Sequence, residues 1–184
     1  MPNPLDTMRV SLSPHDPRWL DLARRESRRL AEVAGDNLIT VHHIGSTAIP
    51  GISTKPVIDL LPVVHSLEAL DERADGFRQL GYNWRGEFGL PGRRFCTLND
   101  PATDRRLFNV HIWSADSDQI LRHVAFRDYL LAHPEEAREY EAEKMRAAAL
   151  HPDDVLAYND AKDPWIKACE IRAQTWFQSQ QPTA

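Results

Sequence analysis

The stretch Val57–Val64, VIDLLPVV, is apolar except for one carboxylate, Asp59, and a proline near its end, Pro62. A short apolar run of this kind reads as a β-strand, and a proline inside it restricts where the strand can pair. The carboxylate is the stronger constraint. A buried, isolated charge is too costly to persist, so Asp59 must be hydrogen-bonded, paired with a cation or bound to a metal. Strand alternation puts Val57, Asp59 and Leu61 on one face and Ile58 and Leu60 on the other. Any fold this chain adopts has to bring polar partners to the first of these faces.

The segments around this strand supply candidates. Upstream, Asp16-Pro17 reads as a helix start, and WLDLARRESRRLAEVA has helical apolar spacing up to Gly35. NLITVHHI follows as a strand, then the small-residue break Gly45-Ser46-Thr47 and the Pro50-Gly51 turn signal. Downstream, Ser66 is placed to cap one helix, LEALDERADGFRQL, ending at Gly81, and a strand begins at Tyr82–Trp84. RGEFGLPGRR reads as an exposed loop leading into the strand RFCTLN, and LFNVHIW is predicted to pair with that strand as a hairpin.

From Asp116 onward the pattern is helical. DQILRHVAFRDYLLAH is amphipathic, His133-Pro134 punctuates it, EEAREYEAEKMRAAAL continues as a second helix, and Asp163-Pro164 is predicted to start or reset the last one, WIKACEIRAQTWF. The expected fold is therefore α/β (α+β): a mixed sheet flanked by helices over 1–115, then a helical C-terminal part over 116–184, in a single domain 1–184. A chain of 184 residues can bury one real core.

Composition narrows the function classes. A net charge of −5, with no long Lys/Arg run, argues against extended nucleic-acid binding. Arg85, Arg93, Arg94, Arg105 and Arg106 nevertheless gather around two predicted strands of this acidic chain, which suits a small anion better than a polymer. No apolar stretch approaches bilayer-spanning length and no leader pattern opens the sequence, so no membrane association and a cytoplasmic location are expected. Cys96 and Cys169 form no CxxC pair and read as reduced thiols.

The chemistry concentrates in HHIGSTAIPGISTKPVIDLL, His42–Leu61. A strand ending in Gly45-Ser46 and turning into a short helix leaves backbone N–H groups that suit a phosphate, with Ser46 or Thr47 adding a hydroxyl; the same residues also cap ordinary helices. Lys55 can pair with Asp59 or with a ligand phosphate. In LFNVHIW, alternation puts Phe108, Val110 and Ile112 on one face and Asn109, His111 and Trp113 on the other. If this strand lies beside VIDLL, Asn109 and His111 share the pocket of Asp59, where His111 is either a hydrogen-bonded structural residue or a ligand or base. Arg93 and Arg94, after Leu90-Pro91-Gly92, can reach a phosphate bidentately or remain solvated.

The string HIGSTAIPGISTKPVIDLL resembles the signature of the GrpB family. The resemblance continues in HDPRW, LGYNWRGEFGLPGRRF, RHVAFRDYLLAHPEEAREYEAEK and YNDAK, and so covers most of the chain. It implies the nucleotidyltransferase-like fold of the DNA polymerase beta superfamily, in which a Gly-Ser turn binds a nucleotide triphosphate and strand carboxylates hold a divalent cation, Mg²⁺ or Mn²⁺. Gly45 and Ser46 fall on that turn and Asp59 on the first metal-binding carboxylate, whereas Leu61 falls on the second and cannot bind metal. Asn109 and His111 stand where a third is expected.

Two functions follow from the resemblance as expectations. One is a protein that binds a nucleotide or other phosphate-bearing small molecule and catalyses metal-dependent nucleotidyl transfer. Asp59 and His111 are then the catalytic and metal-binding residues, and Gly45, Ser46, Thr47, Lys55, Arg93 and Arg94 hold phosphates. The other is a non-catalytic ligand-binding module on a degenerate version of the same fold. Since GrpB domains also occur fused to dephospho-CoA kinase, that ligand is expected to be related to coenzyme A metabolism.

Overall fold

The structure, a computed structural model, describes residues 10–180. Six α-helices and five strands follow one another as α1 (Arg18–Ala34), β1 (Leu38–Ile44), β2 (Ile58–Val64), α2 (Leu67–Asp71), α3 (Ala74–Gln79), β3 (Asn83–Trp84), β4 (Arg93–Asn99), β5 (Arg106–Ser114), α4 (Asp118–Ala132), α5 (Pro134–Leu150) and α6 (Val155–Ser179). The described residues fall into two compact units. One comprises Asp16–Ala48 and Val57–Val124; the other comprises Ile49–Pro56 together with residues 10–15 and 125–180.

The first unit is built on a five-stranded mixed sheet in the order β1-β2-β5-β4-β3. β2 pairs antiparallel with β1 and parallel with β5, while β5 and β4 form the expected antiparallel hairpin. Asp59 is the register partner of Asn109, and His111 that of Phe95. Pro62 is opposite Val41 of β1, and the pairing of β2 with β5 skips from Leu60–Val110 to Val63–Trp113, as a residue without an N–H requires.

Alternation then sorts the side chains by face. Ile58, Leu60, Val64, Phe108, Val110 and Ile112 pack with Trp19, Leu30 and Phe77 in the main core, beneath α1 and α3. On the opposite face Leu61, Val63, Ile44 and Trp113 form a smaller cluster covered by Ile120 of α4. Asp59, Asn109 and His111 occupy the same face as this second cluster.

α1 begins where Asp16 accepts the backbone N–H of Arg18 at 2.9 Å and ends at Gly35, whose φ of 56° closes the helix. One buried polar tie fastens this helix. The Tyr82 hydroxyl donates to Glu26 Oε1 at 2.8 Å, and Arg29 grips both oxygens of the same carboxylate.

Two helix boundaries differ from the sequence reading. The predicted helix over 67–80 is broken into α2 and α3, because the chain tightens into a turn at Glu72 and Arg73, where the Arg73 N–H bonds Leu70 O at 2.9 Å. Ser66 does cap the first piece, accepting from Ala69 N. The last helix starts at Val155, not at Asp163-Pro164: Asp154 accepts the Ala157 N–H at 2.9 Å and Pro164 lies inside the helix.

The second unit is helical. Tyr158 of α6 packs with Val10 and Ala147, Ser13 and Thr54 form an isolated two-bond bridge, and α5 and α6 are joined by the Arg172–Glu136 ion pair at 2.7 Å. Both cysteines are free and buried. No helix among the described residues is long and apolar enough to cross a membrane.

Candidate functional site

The first unit gathers its polar side chains around Asp59. The carboxylate is 28% exposed, so it is open to solvent on one side while the sheet closes the other. Asn109 donates to Asp59 Oδ1 at 2.9 Å and itself accepts from Arg106 Nη1 at 2.8 Å. Arg106 also donates through Nε to Asn99 at 2.7 Å, which fixes its guanidinium between two strands. His111 Nε2 stands 3.5 Å from the same Asp59 oxygen.

The other ring nitrogen of His111, Nδ1, faces Arg93 Nη1 at 3.4 Å. A guanidinium can only donate, so Nδ1 is the acceptor and the proton of neutral His111 lies on Nε2, towards Asp59. Arg93 is held by the carbonyls of Glu87 and Phe88 and lies over the Phe95 ring. Burial, and then the nearby Arg122 cation, lower its pKa from the usual guanidinium value.

α4 adds a second imidazole. The His123 ring is 6.0 Å from that of His111, and Arg122 Nη2 lies 3.2 Å from His123 Nε2. Burial first, then Arg122, push the His123 pKa down to about 3, so this ring is neutral at ordinary pH. Beside Arg93 in register, the buried indole N–H of Trp113 has no hydrogen-bond acceptor among the described residues. The cluster thus sets the Asp59 carboxylate among three guanidinium groups, two imidazoles and further N–H donors, with Asp104 also close enough to act on Arg106.

The predicted phosphate-binding residues behave differently from one another. Gly45 has φ +69°, and a β-carbon there would stand 2.6 Å from Asp59 Oδ2, so the glycine is needed for the backbone to pass this carboxylate. Ser46 opens the short 3₁₀ turn Ser46–Ala48 and is half-buried. Thr47 is 2% exposed, and its hydroxyl lies 2.9 Å from His43 Nε2. Lys55 belongs to the helical unit, where its ammonium stands 5.0 Å from the centroid of the Tyr158 ring.

The two arginines also part company. Arg93 is not in an exposed loop: it opens β4 at 7% exposure and points to the Asp59 face. Arg94, the register partner of Ile112, projects to the other face and makes a two-point ion pair with Asp71, each contact 2.6 Å. Alternation along β4 separates them. Arg106 and Arg122 were not singled out by sequence as site residues, although Arg106 belonged to the basic concentration.

The donor set suits two divalent cations poorly. Such ions need several shared oxygen ligands, whereas Leu61 is fully buried in an apolar cluster and the Asn109 oxygen is taken by Arg106. Among the described residues, no three His, Cys, Asp or Glu side chains come together as a metal-holding group. Arg93 and Arg122 add positive charge where a cation would have to bind.

The family described as GrpB protein matches residues 9–172. The UPF0157 protein YqkA of Bacillus subtilis is 39% identical over 168 residues, 91% of this chain, and the chain spans 48% of that relative's length. A dephospho-CoA kinase of Mycolicibacterium paratuberculosis is 31% identical over 199 residues, covering 92% of this chain and 47% of the kinase. Among solved structures, the conserved protein GrpB from Enterococcus faecalis superposes with a TM-score of 0.86 at 37% identity, over 91% of this chain and 99% of that one. Cid1 in complex with its short product ApU superposes with a TM-score of 0.52 at 10% identity, over 75% of this chain and 43% of that one, which is a likeness of fold.

Proposed function

Because this chain belongs to the GrpB family and has a nucleotidyltransferase-like fold, we propose that it binds a nucleotide or another phosphate-bearing small molecule at the cationic cluster around Asp59. The sign of the charge there carries this reading. Arg93, Arg106 and Arg122 gather about the face that carries Asp59, whose carboxylate is already engaged by Asn109, and Asp104 offsets part of the Arg106 charge. Guanidinium groups match phosphate oxygens in geometry and charge, and their partial burial strengthens each contact. A site for two divalent cations would have the opposite charge balance. In this reading Asp59 is a positioning residue that orients Asn109 and His111, and Gly45 makes room for it.

A second reading is metal-dependent nucleotidyl transfer, favoured by the adjacency of Asp59 and His111 at 3.5 Å. The two readings separate in one experiment. Calorimetric titration of the full chain with adenine nucleotides and coenzyme A-type compounds, with EDTA or with Mg²⁺, should show binding that persists in EDTA. The coenzyme A compounds are included because some relatives are named dephospho-CoA kinase. Arg106→Gln should weaken binding about tenfold or more, the equivalent of roughly 1.4 kcal/mol, while Asp59→Asn should preserve it. Loss of all binding in EDTA and in Asp59→Asn would favour the metal-dependent transferase instead.

A further inference from the structure

The loop between β3 and β4 carries an aromatic side chain that the fold does not bury. Phe88 is 46% exposed, and its φ of 44° lies in the left-handed region, where a bulky residue is strained. Of the four left-handed positions in residues 86–92, the other three are Gly86, Gly89 and Gly92, which adopt that conformation freely. A phenyl ring at the fourth is held against a strain that its half-exposed packing offsets only in part.

Hydrogen bonds fix this loop. Arg93 Nε donates to Glu87 O at 3.2 Å and Nη2 to Phe88 O at 2.8 Å, the Glu87 carboxylate accepts the Gly92 N–H at 2.7 Å, and Phe95 N donates to Gly86 O at 2.8 Å. The Phe88 ring is thereby stacked on that of Phe95, with centroids 5.3 Å and planes 18° apart. The exposed Arg85 guanidinium lies 5.2 Å from the Phe88 centroid and makes no hydrogen bond or ion pair among the described residues.

The stack leads to the Asp59 face. Phe95 is the register partner of His111, their rings are 5.0 Å apart, and His111 stands beside Asp59 and faces Arg93. Arg93 itself lies 4.7 Å from the Phe95 centroid. One ring contact and one cation–π contact therefore separate the exposed Phe88 ring from a guanidinium on the phosphate-binding face. A nucleotide has the matching layout: a planar base that stacks on aromatic rings and guanidinium planes, a short sugar spacer, then phosphate.

We propose, on the phosphate reading of the Asp59 face, that Phe88 flanked by Arg85 is the stacking platform for a planar heteroaromatic ring on the same ligand, so that the site takes nucleotides in preference to sugar phosphates. Every base presents a π-face, so the platform selects for the presence of a base and not for its identity.

Calorimetric titration of the full-length protein in EDTA with adenosine 5′-monophosphate and, separately, ribose 5-phosphate compares ligands that differ in the base. The nucleotide should bind about tenfold tighter or more. Phe88→Leu, which keeps an apolar side chain and removes the ring, should bring the nucleotide down to the affinity of ribose 5-phosphate. Phe88→Tyr should keep the preference, which separates stacking from a distorted loop. Equal affinities for the native sequence, or a preference that Phe88→Leu retains, overturn the platform and leave the phosphate reading standing. Adenosine, which carries no phosphate, tests the platform by itself: at high concentration it should shift the Phe88 ring resonances in NMR spectra of the native sequence, and unmoved resonances overturn the platform. Failure of both phosphates to bind sinks the Asp59 reading instead, and the adenosine spectra then decide the platform alone.

Discussion

Lys144 shows how burial alters the chemistry of one side chain. Burial, and then the Lys162 cation, lower its pKa to about 7 against the raising influence of Glu141. A lysine whose folded pKa is depressed favours the neutral form in the folded state, so the unfolded chain binds more protons between about 7 and the ordinary value of 10.5. Its contribution to stability should therefore rise with pH across that window and be flat below it. Denaturant titrations from pH 6 to 10 should show a stability gain for the native sequence that Lys144→Met lacks. Parallel pH profiles for the two proteins would mean that the burial of this amine carries no titration penalty. Asp59 is the residue most readable from sequence, because a carboxylate in an apolar strand is anomalous in its own neighbourhood. Arg122 gave no such signal, since a polar residue on an amphipathic helix is ordinary.

At the scale of elements, periodicity was a sound guide to strands and a weaker one to helix ends. The faces of β2 and β5 follow from alternation alone, and their parallel pairing then sets Asp59 opposite Asn109. The break between α2 and α3 and the continuity of α6 through Pro164 both depend on local hydrogen bonding that the spacing of apolar residues does not encode. The attachment of α1 rests partly on the Glu26–Tyr82 contact, where Glu26 is 5% and Tyr82 3% exposed. Tyr82→Phe removes the donor and leaves the buried carboxylate with one fewer partner, which should cost about 1–3 kcal/mol. Chemical denaturation of the variant measures this, and an unchanged midpoint would show that Arg29 alone satisfies Glu26.

At the scale of the whole molecule, the sequence order and the compact units do not coincide. Ile49–Pro56 lies between two strands of the sheet yet belongs with the helical unit, and the division at Val124 falls inside α4. The first turns of α4 complete the sheet unit, since Ile120 covers Leu61, Val63 and Trp113 and His123 lies beside His111. A chain ending at residue 115 would expose that apolar face. It should lose its near-ultraviolet circular dichroism and unfold without a cooperative transition. Cooperative unfolding of this fragment would show that the sheet is stable without α4.

The sequence by itself determined the strands, the face each side chain occupies and the need for a partner at Asp59, because these follow from the two-residue repeat of the backbone and from the cost of burying a charge. Tertiary structure decided which cations meet. Arg93 and Arg94 are adjacent in sequence, yet one reaches His111 and the other Asp71, while Lys55 and Lys162 reach the ring of Tyr158 from segments far apart in the chain. The ends of long, flexible side chains are placed by what packs around them, and that information lies in contacts between segments far apart in the chain.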